Sequence, residues 1–364
     1  MSNTLINFST LFYNLSVAKV VDIVDQWLPP KPTYTEDSVP RQDGRVFIIT
    51  GGNSGIGLAL VKLLYPKGAK IYIACRSEER AKAAIEEVLE EYRTTAAQNK
   101  AVKSAETPGS ITYMPLDLND LSTIKASAAF FKERESRLDV LWNNAGIAGS
   151  PIGTKTAQGL EGHIGVNCVA PLMFTQELLP ELRAAAAASP SSPGATRVVW
   201  TGSLIIERFA PESGVDLEVL DRINAEGTGS ESGSRDYGAS KAGNWLLGVE
   251  GARRWGSESE PGKGDAIVHV TENPGMISTP VWKHQPGWMM AFMNPTFAVP
   301  KMGAYTMMFA GLSNEVGLEN NGAYILPFGR IQKKSTNTGI LKAIEDGKAQ
   351  VFWDWCEKLY QPYV

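Results

Sequence analysis

The chain has 364 residues, 43% apolar, 20% charged and 9% aromatic, with 35 Lys plus Arg against 39 Asp plus Glu. These proportions exclude wholesale disorder, and the lack of basic excess argues against a nucleic-acid partner. Three cysteines (Cys75, Cys168, Cys356) and three histidines (His163, His269, His284) are widely scattered. That scatter predicts a reducing compartment, no disulfide framework and no metal site.

Residues 1–40 read as a helical arm followed by a Pro-rich connector. Phe8, Leu11, Phe12 and Leu15, then Val20, Val21, Val24, Trp27 and Leu28, fall near helical spacing. No basic region precedes the apolar run, which makes it a poor signal peptide. Lys19, Asp22 and Asp25 interrupt it well before the ~20 residues that cross a bilayer. The arm is expected to pack on its own domain or on a second copy in a homodimer. The alternative is a helix lying on the surface of an intracellular membrane. The expected location is cytoplasmic. Pro29, Pro30 and Pro32 end the arm as a stiff connector.

From Gly44 the chain alternates apolar runs with helical patterns. Strands are predicted at Arg45–Thr50, Ala69–Ala74, Ser110–Pro115, Leu138–Trp142, Ala195–Thr201, Asp265–Glu272 and Gly322–Leu326. Helices are predicted at Gly55–Pro66, Ser77–Thr94, Leu121–Ser136, Leu160–Ala187 and Tyr237–Trp255. Gly68 should stop the first of these and Ser77 should cap the second. Continuous apolar strands alternating with helices predict an α/β fold. It is one Rossmann-like, doubly wound parallel sheet of about seven strands, with helices on both faces, spanning 41–364. Ala96–Pro108, Ala184–Gly194 and Ala225–Ser234 read as loops within that single domain.

Thr50-Gly51-Gly52-Asn53-Ser54-Gly55-Ile56-Gly57 follows the first strand and opens the first helix. Glycines at that junction allow a tight turn and a close approach of backbone amides to a pyrophosphate. The helix N-terminus adds its positive dipole end. The spacing is Gly-x3-Gly-x-Gly rather than the commoner GxGxxG. At the end of the second strand an acid would select the ribose of NAD. Arg76 stands there instead and argues for the 2′-phosphate of NADP.

With these residues in view, the sequence resembles the short-chain dehydrogenase/reductase family from about Gly44 to Leu326, and the retinol-dehydrogenase-like and fungal branch in particular. The Thr50–Gly57 run is similar to the family's TGxxxGxG cofactor motif. Asn143-Asn144-Ala145-Gly146 matches its NNAG motif, and Asp117-Leu118 is similar to its adenine-contacting pair. Tyr237-Gly238-Ala239-Ser240-Lys241 matches Tyr-x3-Lys. Asn273-Pro274-Gly275 with Thr279 resembles the segment that closes on the nicotinamide carboxamide. The resemblance implies NADP(H) as cofactor. It also implies Asn167, Ser203, Tyr237 and Lys241 as catalytic residues. One departure stands out: Tyr237 lies 34 residues after Ser203, where the family commonly has about a dozen. The loop-like Ile205–Arg235 stretch would account for the gap, and Ser213 is the alternative serine.

The residue types suit carbonyl reduction. A free Tyr titrates near 10, too high for easy proton exchange at neutral pH. Lys241 shares a helix face with Tyr237. A cation about 4 Å away at an effective dielectric of about 20 is worth on the order of 4 kcal/mol, which predicts a phenol drawn towards neutrality. Ser203 would hold the substrate oxygen. By resemblance, Asn167 would order a water leading from Lys241 to solvent.

A substrate lid is expected over about 276–312, where Trp282, Trp288, Met289, Met290, Phe292, Met293, Phe297, Met302, Met307, Met308 and Phe309 accumulate. Ordinary core or a dimer contact is the competing reading of that run. A lid of this composition would take a small lipophilic ketone, aldehyde or alcohol, in keeping with secondary metabolism. The leading function is therefore an NADP(H)-dependent carbonyl/alcohol oxidoreductase. The alternatives are a non-redox enzyme on the same fold (epimerase, dehydratase or cyclase) and a cofactor-sensing binding module.

Overall fold

A strand covered on both faces can bury every side chain, and the run Val46–Thr50 does so. Val46 and Ile48 enter one core layer, Phe47 and Ile49 the other. The computed structural model describes residues 15–98, 107–189, 192–226, 232–278 and 294–364. Among these residues, eight strands form one sheet: β1 (Val46–Thr50), β2 (Lys70–Cys75), β3 (Ser110–Pro115), β4 (Val140–Asn143), β5 (Arg197–Thr201), β6 (Val268–Glu272), β7 (Tyr324–Leu326) and β8 (Arg330–Ile331). Their order is β3-β2-β1-β4-β5-β6-β7-β8. Neighbours are parallel except β7 and β8. The order reverses between β1 and β4, which is where a doubly wound sheet opens its ligand crevice. The seven expected strands are all present. β8 is the addition, a half-buried pair of residues too short to carry a period.

The helices are α1 (Val17–Trp27), α2 (Gly55–Leu64), α3 (Glu78–Gln98), α4 (Ile124–Lys132), α5 (Ala170–Glu177), α6 (Leu179–Ala187), α7 (Ile206–Phe209), α8 (Leu217–Glu226), α9 (Gly233–Trp255), α10 (Pro300–Leu312), α11 (Thr338–Glu345) and α12 (Lys348–Tyr360). One core layer lies beneath α2, α3 and α10. The other lies beneath α4, α5, α9 and α12. Gly68 ends the turn after α2 with φ +92°. Ser77 Oγ accepts the Arg80 amide at 3.3 Å and caps α3.

Three expectations change. The long central helix is not continuous: a turn at Gly162–Ile164 and a π-helical segment at Gly165–Val169 precede α5. Pro180 near the start of α6 lacks the amide that a continuous helix needs. The stretch Ile205–Arg235 is not mainly loop. It holds α7, α8 and the start of α9, and α8 buries Leu220 and Ile223. The expected lid divides. Met307, Met308 and Phe309 lie in the core under the sheet, because α10 packs against it. Thr279, Trp282, Trp288, Met289, Met290, Phe292 and Met293 lie outside the described residues.

The arm packs on its own domain through α1, which buries Ile23 and Gln26. Asp25 pairs with Arg330 at 2.9 Å, and Thr336 Oγ1 donates to Asp22 at 2.6 Å. The other side of α1 exposes Val17, Val21, Val24 and Leu28. Among the described residues no helix is long and apolar enough to cross a membrane.

Candidate active site

The turn from β1 to α2 is built by glycine where no other residue fits. Gly51 and Gly55 have φ of +68° and +56°. A Cβ on Gly57 would lie 2.7 Å from the Gly51 carbonyl and 2.8 Å from Asn144 Nδ2. Ser54 is the N-cap residue of α2 but makes no capping hydrogen bond with its side chain. The first amides of α2 are therefore left to an incoming acceptor. Asn53 and Ile56 flank them, half-buried. Thr50 ties this turn to the segment after β4. Its carbonyl accepts Asn144 Nδ2 at 2.7 Å and its Oγ1 accepts the Ala145 amide at 2.8 Å. At the end of β2, Arg76 is largely exposed and its Nε lies 4.0 Å from Asp117 Oδ1. Leu118 beside it is buried.

On the far side of the crevice, α9 carries Tyr237 and Lys241 one turn apart. The Lys241 Nζ donates to the Thr201 carbonyl at 3.0 Å and lies 5.7 Å from the centre of the Tyr237 ring. Asn244, on the same helix, donates to that carbonyl at 2.9 Å. Ser203 follows β5, and its hydroxyl faces the Tyr237 phenol and favours its ionised form. The 34-residue separation is thus closed in space, because α7 and α8 form an excursion between the two. Ser213 is instead engaged with the Val215 carbonyl at 3.0 Å.

Asn167 sits in the π-helical segment, where one extra residue in the turn re-aims a side chain. Its Oδ1 accepts the Ile147 amide at 2.8 Å. Its Nδ2 donates to the Ile147 carbonyl at 3.1 Å and to Ser240 Oγ at 2.9 Å. It therefore pins the turn after Gly146 to α9. Gly146 makes that approach possible: a Cβ there would lie 3.0 Å from Asn167 Oδ1 and 3.5 Å from Lys241 Nζ. Beyond β6, Asn273 Oδ1 accepts the Gly275 amide at 3.0 Å, and Gly275 has φ +90°. Pro274 between them is buried.

The electrostatics correct one expectation. The Tyr237 phenol is not drawn towards neutrality. Burial pushes it up to about 12, opposed by the nearby Ser203 hydroxyl. Burial also pulls the Lys241 ammonium down to about 8. The low-dielectric setting penalises the charged form of both groups.

Two groups were missed from sequence. His163 and Tyr237 have ring centres 6.0 Å apart. The His163 Nδ1 contacts Glu161 Oε1 at 3.0 Å, and its buried Nε2 has no hydrogen-bond partner. Asp236 brings a third potential ligand atom within 4.8 Å of these two residues. Glu161 already engages His163 with one oxygen and caps the Ile164 amide with the other, which accounts for this grouping without an ion. The second group is Glu272, wholly buried at the end of β6. Nothing in the linear spacing around either residue marks it. Only the π-helical segment and the strand register bring them to the site.

Residues 45–204 match the family profile of short chain dehydrogenases. A short-chain dehydrogenase/reductase of Pestalotiopsis fici is 48% identical over 342 residues, covering 93% of this chain and 97% of that one. Another, of Phomopsis amygdali, is 37% identical over 349 residues, covering 93% and 96%. The chain belongs to the short-chain dehydrogenase/reductase family. The resemblance read from the motifs holds, and these relatives are fungal. Solved members of this fold include the NADPH-bound carbonyl reductase from chicken fatty liver. It has a TM-score of 0.53 and 22% identity, over 80% of this chain and 99% of that one. A short chain dehydrogenase from Burkholderia cenocepacia in complex with NADP has a TM-score of 0.56 and 22% identity, over 80% and 98%.

Proposed function

We propose that this oxidoreductase interconverts a lipophilic ketone or aldehyde and its alcohol with NADP(H), using Tyr237 as the acid/base. The convergence of Tyr237, Ser203 and Lys241 across the crevice from an uncapped glycine turn carries this reading. When bound, the nicotinamide cofactor supplies or accepts the hydride. Thr50, Gly51, Asn53, Ser54, Gly55, Ile56 and Gly57 would hold the pyrophosphate, and Arg76 a 2′-phosphate. Asp117 and Leu118 would flank the adenine. Asn144, Ala145 and Gly146 would line the crevice, and Pro274 and Gly275 would face the carboxamide end.

In this reading Ser203 donates a hydrogen bond to the substrate oxygen and Tyr237 delivers the proton. A phenol raised to about 12 is fully protonated at neutral pH, which is the form that reduction requires of it. Lys241 supplies positive charge to the site as the phenol gives up its proton. Asn167 holds the Gly146–Ile147 turn against α9 through its amide group. The Trp- and Met-rich run at 282–293 supports a lipophilic substrate by its composition. The fungal relatives support a place in secondary metabolism.

The test follows reduced nicotinamide absorbance with a panel of apolar aldehydes and ketones, with NADPH and NADH compared. Turnover with NADPH is expected, and Tyr237→Phe should lower kcat about 1000-fold with NADPH binding retained. Tight NADPH binding without net consumption would overturn the redox reading.

A further inference from the structure

Glu272 ends β6 and is completely buried. In the β5–β6 register it stands opposite Thr201. The Thr201 hydroxyl faces its carboxyl without closing to hydrogen-bond length. Both carboxyl oxygens and Thr201 Oγ1 are buried with no hydrogen-bond partner. The Thr201 main chain, in turn, receives the Lys241 Nζ at 3.0 Å. One residue of β5 thus separates a buried acid from the buried ammonium of the catalytic helix. A carboxyl with no donors around it is disfavoured as an anion unless a nearby cation compensates, and the cation acting on Glu272 is Lys241.

Among the described residues, the other ionisable groups around this pair are few. The Cys168 thiol faces Lys241 from the π-helical segment, and Tyr237 stands one turn before Lys241 on α9. Tyr324 on β7 faces Glu272 and directs its hydroxyl to the Ser203 carbonyl at 3.4 Å. Glu207 and Asp22 lie beyond Tyr324.

We propose that Glu272 is a positioning residue that balances the charge of Lys241, so that its ionisation keeps Lys241 protonated while Tyr237 exchanges its proton. This rests on the reading of Tyr237 and Lys241 given above. Burial pushes Glu272 up to about 8 and Lys241 down to about 8, so the two change charge over the same range. A group pair of this kind titrates as a unit. The carboxylate raises the Lys241 pKa, and Lys241 lowers that of the carboxyl. Removing the carboxylate should therefore let Lys241 lose its proton at lower pH.

The experiment is the pH profile of NADPH-dependent kcat/KM for the full-length protein and for Glu272→Gln. The basic limb should move to lower pH, with activity above the limb falling on the order of threefold to tenfold and the plateau below it retained. Glu272→Asp should restore part of the limb. A uniform loss at every pH, or an unmoved limb, would overturn the proposal. An infrared titration of the protonated Glu272 carboxyl carries the same test without turnover. Lys241→Met should raise the pH at which that band disappears, and an unshifted band rejects the coupling even if the protein proves not to be a reductase. If the wild type binds NADPH without consuming it while the band does shift, the proposed redox function fails and the pairing stands.

Discussion

The two halves of the sheet hold their functional groups by different physical means. Around β1, β2 and β4 the site is mostly backbone. Glycine turns, an uncapped helix end and the main chain of Thr50, Ala74 and Ala145 set its shape. Around β5, β6 and β7 it is made of buried ionisable side chains. Lys241, Glu272 and Glu207 are each less than 10% exposed, and the arm braces them: Lys19 reaches Glu207 at 3.7 Å, and Gln26 accepts Asn273 Nδ2 at 2.9 Å. A backbone site is sensitive to added volume and tolerant of changed polarity. A site of buried charges is sensitive to the loss of any one partner.

That contrast can be broken at its strongest point first. Gly57→Val places branched carbon where even a Cβ lies 2.7 Å from the Gly51 carbonyl. Overpacking of this kind costs about 1–3 kcal/mol, so NADPH affinity should fall about 10- to 100-fold by fluorescence titration. An unchanged affinity would mean that the turn relaxes freely and that its backbone is not the recognition element. Arg76→Glu is expected to act next, shifting the ratio of NADPH to NADH preference by roughly tenfold or more through one charge-assisted contact. A ratio that stays put would show that the 2′-phosphate is read elsewhere. The smallest effect is expected in the other half. Gln26→Leu leaves Asn273 Nδ2 without its acceptor, at about 1–3 kcal/mol. Thermal unfolding should come a few degrees earlier. The sharper readout is kcat/KM, because Asn273 also holds Gly275. A stability loss with unchanged kinetics would reduce the arm to a simple brace.

The first half was the more legible from sequence. Glycine spacing and apolar strand runs report directly on backbone shape, and Gly51, Gly55 and Gly57 stand at the turn as expected. The second half depends on burial, which a linear pattern does not carry. Lys241 is one turn from Tyr237 in any helix, yet only the packed structure shows that burial disfavours the charged form of each. Met307, Met308 and Phe309 belong to a helix that is apolar nearly all round, so periodicity could not say whether it was lid or core. His163, held by Glu161, meets Tyr237 from beside an irregular segment whose phase no regular helical period describes.

That segment, Gly165–Val169, has a consequence for how this scaffold can be varied. Each α-helical residue turns the chain by about 100°, so an inserted residue confined to one turn works as a phase shifter. Everything N-terminal to it, Glu161 and His163 included, is clocked around the axis relative to α5, while α5 keeps its grip on the sheet. A single-residue deletion there would remove a buried residue and also turn His163 away from Tyr237. This stretch of the chain must preserve its length as well as the Asn167 amide that it carries.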